Sequence, residues 1–406
     1  MVSSFPGHSP FFHIEITMQS FVGPDYYCID ELYSDEERLV RGTVRDFVNA
    51  EVLPVIEQHH RDGTFPLHLV SRLGELGLLG AHLRGYGCAG VSEIAYGLIM
   101  QELERGDSAL RSFASVQGAL VMYPISAFGS EAQKAAWLPH LARGDKVGCF
   151  GLTEPDHGSD PAGMVTTAVR RGDRYVLNGS KLWITNGSIA DVAVVWARTD
   201  EGVRGLLVER GTPGFIAREI QGKFSLRASV TSELILQECA VPRDNLLPGT
   251  AHGLKTALMC VDQARYGIAW GAVGAAMACY DTALQYAKTR VQFGRPIAGF
   301  QLVQQKLVAM LVEITKAQLL CLRLGQLKGA GRAEPTQISL AKMNNVEKAR
   351  EIARMAREIL GAAGIVDAHP VIRHMLNLET LYTYEGTHDI HTLILGRDIT
   401  GLSAFA

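Results

Sequence analysis

Between residues 164 and 247 the chain changes its period. On either side, apolar residues recur every three to four positions, as a helix with one buried face requires. Inside that stretch they alternate instead, among β-branched residues and turn formers. "DVAVVWART", "GLLVERG" and "ELILQECAV" read as strands. "RYVLNGSKLWIT" alternates on both sides of Asn178–Gly179, which predicts a tight hairpin turn there. Upstream, "DEERLVRGTVRDFVNAEVLPVIEQ", "SEIAYGLIMQELERGDS" and "AQKAAWLPHLARG" are helical. Downstream, "ARYGIAWGAVGAAMACYDTALQYAKTR" is one long helix rich in small residues, suited to close packing. Two more long helical stretches follow, and short loops between them predict an antiparallel bundle. The order defines an α+β chain: an N-terminal helical domain over 18–148, a middle β domain over 149–247 and a C-terminal helical bundle over 248–406.

The 406 residues are 47% hydrophobic and 20% charged, with net charge −3, an ordinary globular balance without the basic excess of a dedicated nucleic-acid binder. Seven scattered cysteines, never in CxxC, are expected to be reduced thiols. No stretch approaches 18 consecutive apolar residues, so no membrane span is expected. Residues 1–17 lack the features of a signal peptide and read as a disordered lead-in, or as upstream sequence if Met18 is the start. Cytoplasm is the expected compartment.

"GYGCAG", residues 85–90, matches GxGxxG, but it follows a helix-like segment and opens no βαβ unit. A glycine-rich loop is the better reading. "HDIH" spaces His388 and His391 like some metal ligands, yet nothing elsewhere completes a site, so a helix-start pair is expected and no metal. "NGS" at 178–180 needs no more than a turn. "FGLTEPDHGSD", 150–160, lies at the helical-to-β boundary and offers backbone N–H groups and hydroxyls. It reads equally as a ligand-holding loop and as a domain linker. Trp183 in "WIT" is a core tryptophan or a ligand wall. "RVQFGRP", 290–296, places arginines beside free amides, which suits a phosphate or simply a helix C-terminus. Glu385 in "YTYEGTHDIH" is a helix-start acid or a base.

Taken together, "CFGLTEPDHGSD", "LWITNG", "RVQFGRPI" followed by "FQLVQQKLVAM", and "YEGTHDIH" resemble the acyl-CoA dehydrogenases, in that family's order and over about residues 30–405. The helix–β–helix succession is also that family's architecture, with a middle β-barrel and a C-terminal four-helix bundle. Within the family the chain is most similar to glutaryl-CoA dehydrogenases, through "GYGCAGVS", "ELERGDSALRS", "IQGKFSLRAS", "ARYGIAWG", "HPVIRHMLNLE" and "YEGTHDIHTLILGRDITG".

The resemblance implies an FAD cofactor. Phe150, Leu152, Thr153, Ser159, Trp183, Ile184 and Thr185 would meet its isoalloxazine side. Arg290, Phe293, Gln301, Glu358, Gly361 and Ala362 would meet its diphosphate and adenine across a subunit boundary, with Thr387 and Phe405 completing the site. Ser159 would also touch the thioester ligand, and Leu258, Asp262 and Arg265 would line the acyl-CoA channel. Relatives often carry "GGNG" where this chain has "GAAG", 361–364, so the methyl of Ala362 would crowd a close FAD. A homotetramer and electron-transfer flavoprotein as acceptor are also implied.

For mechanism, the resemblance makes Glu385 the base that removes an α-proton from a thioester, with its pKa raised by desolvation. Gly386 would leave room for the substrate. Arg111 and Ser115 would hold a distal carboxylate, with Tyr384 beside it and Glu104 orienting Arg111; without the resemblance, Glu104–Arg111 reads as a surface ion pair. Glu104 and Arg111 are seven apart, a spacing that aligns them on one helix face. The implied reaction is oxidative decarboxylation of glutaryl-CoA to crotonyl-CoA. A non-decarboxylating or other short-chain acyl-CoA dehydrogenase is the alternative. An acyl-CoA oxidase and a nucleic-acid-binding flavoprotein of the same fold are more distant ones.

Overall fold

A computed structural model describes residues 21–405. The lead-in expected over residues 1–17 lies outside the described residues. The first helical segment holds α1 (Asp35–Phe47), α2 (Leu53–Asp62), α3 (Leu69–Glu75), a two-residue hairpin of β1 (Arg84–Gly85) and β2 (Cys88–Ala89), α4 (Glu93–Gly106), α5 (Ser108–Ser115), α6 (Tyr123–Phe128) and α7 (Glu131–Arg143). Ser34 starts α1 in a capping box with Glu37, and Ser130 starts α7 the same way with Gln133. The GxGxxG stretch is the tip of the β1–β2 hairpin and opens no helix.

Seven strands follow: β3 (Gly148–Gly151), β4 (Thr167–Arg171), β5 (Arg174–Thr185), β6 (Val192–Thr199), β7 (Gly202–Glu209), β8 (Phe215–Glu219) and β9 (Thr231–Pro242). They form one curled sheet in the order β3-β6-β4-β5-β9-β8, with β7 also on β6. The hairpin expected at Asn178–Gly179 is not there. The chain runs straight through it inside β5, and the register against β9 shifts between Leu177 and Gly179. Gly179 has φ +145°, and a Cβ on it would stand 2.4 Å from Thr166 Oγ1. The asparagine side chain accepts from Glu238 N at 2.8 Å and fills the bulge. The actual turn is Gly172–Asp173, between β4 and β5.

Helices return with α8 (Leu254–Thr289), the short β10 (Val291–Gln292) and β11 (Arg295–Pro296), α9 (Gln301–Gly329), α10 (Pro335–Leu360), α11 (Val371–Thr383) and α12 (His388–Thr400). The two helical segments share one core, in which Leu98, Leu103 and Phe113 meet Trp270, Val273 and Ala349. Small residues let α4 and α8 touch. A Cβ on Gly97 would fall 2.3 Å from Trp270, and one on Gly274 would fall 1.9 Å from the Gln101 carbonyl. No helix among the described residues is long and apolar enough to cross a membrane.

Candidate active site

The spacing of Glu104 and Arg111 predicts one shared helix face, but they do not share one. The helix breaks at Asp107, whose φ is −167° and whose Oδ1 accepts from Ala109 N at 2.7 Å to start α5. Arg373 and Asn377 of α11 donate to its Oδ2 at 2.6 and 3.0 Å and fix the break from across the fold. Glu104 on the last turn of α4 then meets Arg111 on the first turns of α5, Oε2 to Nε at 2.5 Å, and both side chains are fully buried. The pair is therefore not the surface salt bridge of a solvated helix.

Burial works against the charge on Arg111, but Glu104, Tyr384 and Glu385 outweigh it and push its pKa up. Arg111 Nη2 donates to the Tyr384 hydroxyl, which also lies 3.0 Å from Ser112 Oγ. Arg111 Nη1 and Ser115 Oγ are buried with no partner among the described residues, as is Glu104 Oε1. Unpaired buried polar atoms are costly, and several on neighbouring residues mark a place where a polar ligand completes the bonds.

Glu385 comes to the same place on the loop between α11 and α12. It is not the cap of α12: Thr387 is, with Oγ1 accepting from Ile390 N at 3.2 Å. Glu385 adopts φ +52° and Gly386 φ +96°, both left-handed. Glu385 Oε2 is buried and unpartnered. Desolvation raises the Glu385 pKa, opposed by Arg111, Lys342 and Arg265 in that order. Burial likewise lifts the Tyr384 phenol to about 12. Arg265 Nε donates to the Glu385 carbonyl at 2.7 Å, and its Nη1 pairs with Asp262 at 2.9 Å. Both residues expected in the acyl channel thus also back the Glu385 loop, while Leu258 is partly exposed on the same helix. His388 stacks on Tyr382 at 4.7 Å, and His391 is buried in α12.

On the sheet, Phe150 ends in β3 and Leu152 and Thr153 begin the loop that follows. Leu182 N donates to the Thr153 carbonyl at 2.9 Å, which lays the loop along β5. Trp183 sits in a second register shift of β5, between Lys181 and Ile184. Its φ is +63° and its ring is 60% exposed, so it is no core tryptophan. A bulge that turns a large aromatic out of a sheet is a built feature. Ile184 beneath it is buried and Thr185 is half-buried, while Ser159 is exposed at the loop's far end. A flat heteroaromatic group fits this exposed ring and the adjacent loop.

Sequence reasoning missed what holds the loop. Lys181 donates to Glu154 Oε1 at 2.8 Å and to the Leu152 carbonyl at 3.1 Å, and neither charged side chain is more than 1% exposed. Val165 N and Thr166 N also donate to Glu154. It also missed His82 and Tyr96, whose rings pack at 4.4 Å and whose ring nitrogens and hydroxyl are buried and unpartnered.

Other expected residues are not brought to this place. Arg290, Phe293 and Gln301 cluster around the β10–β11 hairpin, with Phe293 94% exposed. Arg265 on α8 and Arg290, the residue that caps its C-terminus, lie 25 positions apart, about 37 Å at helical rise. Glu358 pairs with Lys306 at 2.5 Å near the end of α10. Gly361 has φ +59°, and Ala362 after it is exposed, so its methyl crowds nothing within the chain. Phe405 lies by Ile394 and Arg397 at the chain's end.

A buried acid beside a buried, half-satisfied arginine defines an enzyme site in a helical–β–helical fold. The chain belongs to the acyl-CoA dehydrogenase family: its N-terminal, middle and C-terminal domain models match residues 34–145, 149–239 and 251–400. Human mitochondrial short-chain specific acyl-CoA dehydrogenase is 37% identical over 89% of this chain and 89% of its own length. Crystal structures of two glutaryl-CoA dehydrogenases from Mycobacterium smegmatis superpose with TM-scores of 0.92 and 0.93. The first is 57% identical and covers 93% of this chain and 98% of that one. The second, in complex with FADH2, is 50% identical and covers 94% and 98%. The expected cytoplasmic location is overturned by the curated mammalian relatives, from human, rat and mouse, which are mitochondrial enzymes.

Proposed function

We propose that this chain is an FAD-dependent glutaryl-CoA dehydrogenase that oxidises its substrate and releases CO2, leaving crotonyl-CoA. The observation that carries the substrate class is Arg111: fully buried, oriented by Glu104, and with Nη1 unpartnered next to an unpartnered Ser115 hydroxyl. A short acyl chain ending in a carboxylate completes those bonds, and a purely apolar chain would leave them open. A glutaryl-CoA complex of a 35%-identical glutaryl-coenzyme A dehydrogenase, TM-score 0.87, agrees with that class.

Glu385 removes the α-proton. Burial raises its pKa, which makes it a stronger base than an ordinary carboxylate. The Glu385 N–H, which has no acceptor among the described residues, is free to bind the thioester oxygen. Trp183 and the Leu152–Ser159 loop would hold FAD, which would supply the acceptor for the β-hydride. Arg111, Ser115 and Tyr384 hold the distal carboxylate away from water. Glu104 already offsets the Arg111 charge, so the carboxylate is positioned without the full pull of an unpaired guanidinium, and loss of CO2 is less opposed. The protonated Glu385 then returns its proton to C4.

The distance along α8 between Arg265 and Arg290 favours a cofactor shared between subunits. Val308, Val312 and Leu319 form an exposed apolar stripe on α9, which fits a homotetramer. The domain limits 18–148, 149–247 and 248–406 and electron-transfer flavoprotein as acceptor belong to the same reading. The experiment is anaerobic addition of glutaryl-CoA to the yellow holoenzyme, with product analysis. Bleaching followed by crotonyl-CoA is expected. No bleaching overturns the substrate; glutaconyl-CoA alone selects the non-decarboxylating alternative.

A further inference from the structure

The backbone around Glu385 is in a conformation that a glutamate rarely adopts, φ +52° followed by Gly386 at +96°. Such a segment persists only where its surroundings fix it. Here each of three successive carbonyls accepts from a buried cation. Lys342 Nζ, from the first third of α10, donates to the Tyr384 carbonyl at 3.1 Å and to the Gly386 carbonyl at 2.7 Å. Arg265 Nε, from α8, donates to the Glu385 carbonyl between them at 2.7 Å. Arg265 has Asp262 as a counterion. Lys342 is 1% exposed, and its hydrogen-bond partners are backbone carbonyls and no carboxylate. A buried ammonium without a paired carboxylate is a costly choice for mere packing, since methionine fills the same volume.

We propose that Lys342 is a positioning residue for the reaction: with Arg265 it clamps the Tyr384–Gly386 carbonyls, fixing the Glu385 carboxyl and its free N–H in one geometry. This rests on the reading of Glu385 as the base. The N–H groups of Glu385 and Gly386 within the clamp have no acceptor among the described residues.

Charge follows from the same geometry. Lys342 is faced by Glu385 on the loop, Arg265 on α8, Arg111 on α5 and His391 on α12. Burial pulls the Lys342 pKa down to about 7, Glu385 pulls it back up, and Arg265 and Arg111 add to the fall. His391 is held neutral by burial, its pKa lowered to about 2. Lys342 in turn favours the ionised form of Glu385. Removing its charge therefore makes Glu385 a carboxyl that ionises at higher pH.

The test compares Lys342→Met, Lys342→Arg and Glu385→Gln as holoenzymes, each checked for FAD content and melting temperature. For K342M, kcat is expected to fall at least about tenfold with KM within about twofold, because the loss is in positioning and not in binding. The acid limb of its kcat profile should move up by at least about half a pH unit. Amide exchange over 383–387 should quicken by about tenfold as the loop loosens, a readout independent of turnover. K342R, which keeps the charge, should hold the acid limb at its wild-type position. K342M with wild-type kcat, limb and exchange overturns the proposal while leaving Glu385 as base. If K342M does not fold, K342R carries the test: an acid limb displaced by more than about half a unit in it also overturns the proposal. Wild-type turnover in E385Q overturns instead the reading of Glu385 on which it rests.

Discussion

Arg111 Nε and Glu104 Oε2 lie 2.5 Å apart with both side chains shut off from solvent, across the break between two helices. Breaking such a pair leaves a buried carboxylate uncompensated. Arg111→Met is expected to lower stability by about 3–5 kcal/mol, and adding Glu104→Gln should recover at least about 1 kcal/mol of it. Denaturant melts of the single and double variants measure both. Turnover of glutaryl-CoA by an Arg111→Met enzyme that retains FAD should fall by at least about a hundredfold in kcat/KM, the range for losing one partner of a buried charge contact. Equal activity with wild type would remove Arg111 from substrate recognition.

Glu385→Gln should keep FAD and lose about 10²–10⁴-fold in kcat, the range for a positioned base. It should also change how stability depends on pH. Burial raises the folded-state pKa of Glu385 above its ordinary 4.5. The folded state then holds the proton more tightly than the unfolded chain, so stability falls as pH rises from about 4.5 toward the folded value. A glutamine has no such term. The melting temperature of E385Q relative to wild type should therefore climb as pH rises above about 4.5. A constant difference across that window would mean Glu385 is not desolvated in the folded protein.

The parts of the fold legible in the sequence are those set locally. A period of 3.6 against a period of 2 marks the helix–β–helix order whatever the neighbours do. Asn178–Gly179 was misread because its glycine answers to Thr166 on the adjacent strand, not to a turn. The break at Asp107 was invisible because Arg373 and Asn377, 266 and 270 residues away, fix it. Glu104, Arg111 and Glu385 could be singled out by chemistry, but only the fold shows that all three are enclosed together. Lys342 did leave a signal. It interrupts the stripe Ile338, Ala341, Val346, Ala349 that buries α10, and a lysine on an apolar stripe invites the question of what it binds.

Glu154 and Lys181 form another buried ion pair, beneath the loop assigned to FAD. Burial alone would raise the Glu154 pKa, but hydrogen bonds from Lys181, Thr166 and Val165 outweigh it and hold it down to about 2. The stability this lends is present above the ordinary 4.5 and is lost as pH falls through about 2. Lys181→Met should destabilise the protein by about 3 kcal/mol. Because Lys181 also ties down the Leu152 carbonyl, FAD should bind about tenfold more weakly, a loss of about 1.4 kcal/mol in the cofactor titration. Unchanged FAD affinity would mean that the loop does not contact the cofactor.

Gly386 is the position where added bulk tests the loop itself. A Cβ there would stand 2.8 Å from His391 Nε2 and 3.0 Å from Arg265 Nη2, at a φ of +96°. Both neighbours are side-chain ends that can move, but moving Arg265 pulls its Nε from the Glu385 carbonyl. The backbone strain has no such escape, because an alanine is disfavoured at that φ wherever its neighbours go. Gly386→Ala should therefore lower stability by about 1–2 kcal/mol and reduce kcat by about tenfold or more, with FAD content unchanged. Adding His391→Ala relieves one close contact and leaves the φ strain, so it should restore only part of the stability and little of kcat. Full recovery in the double variant would show that crowding, and not the left-handed turn, is what Gly386 serves.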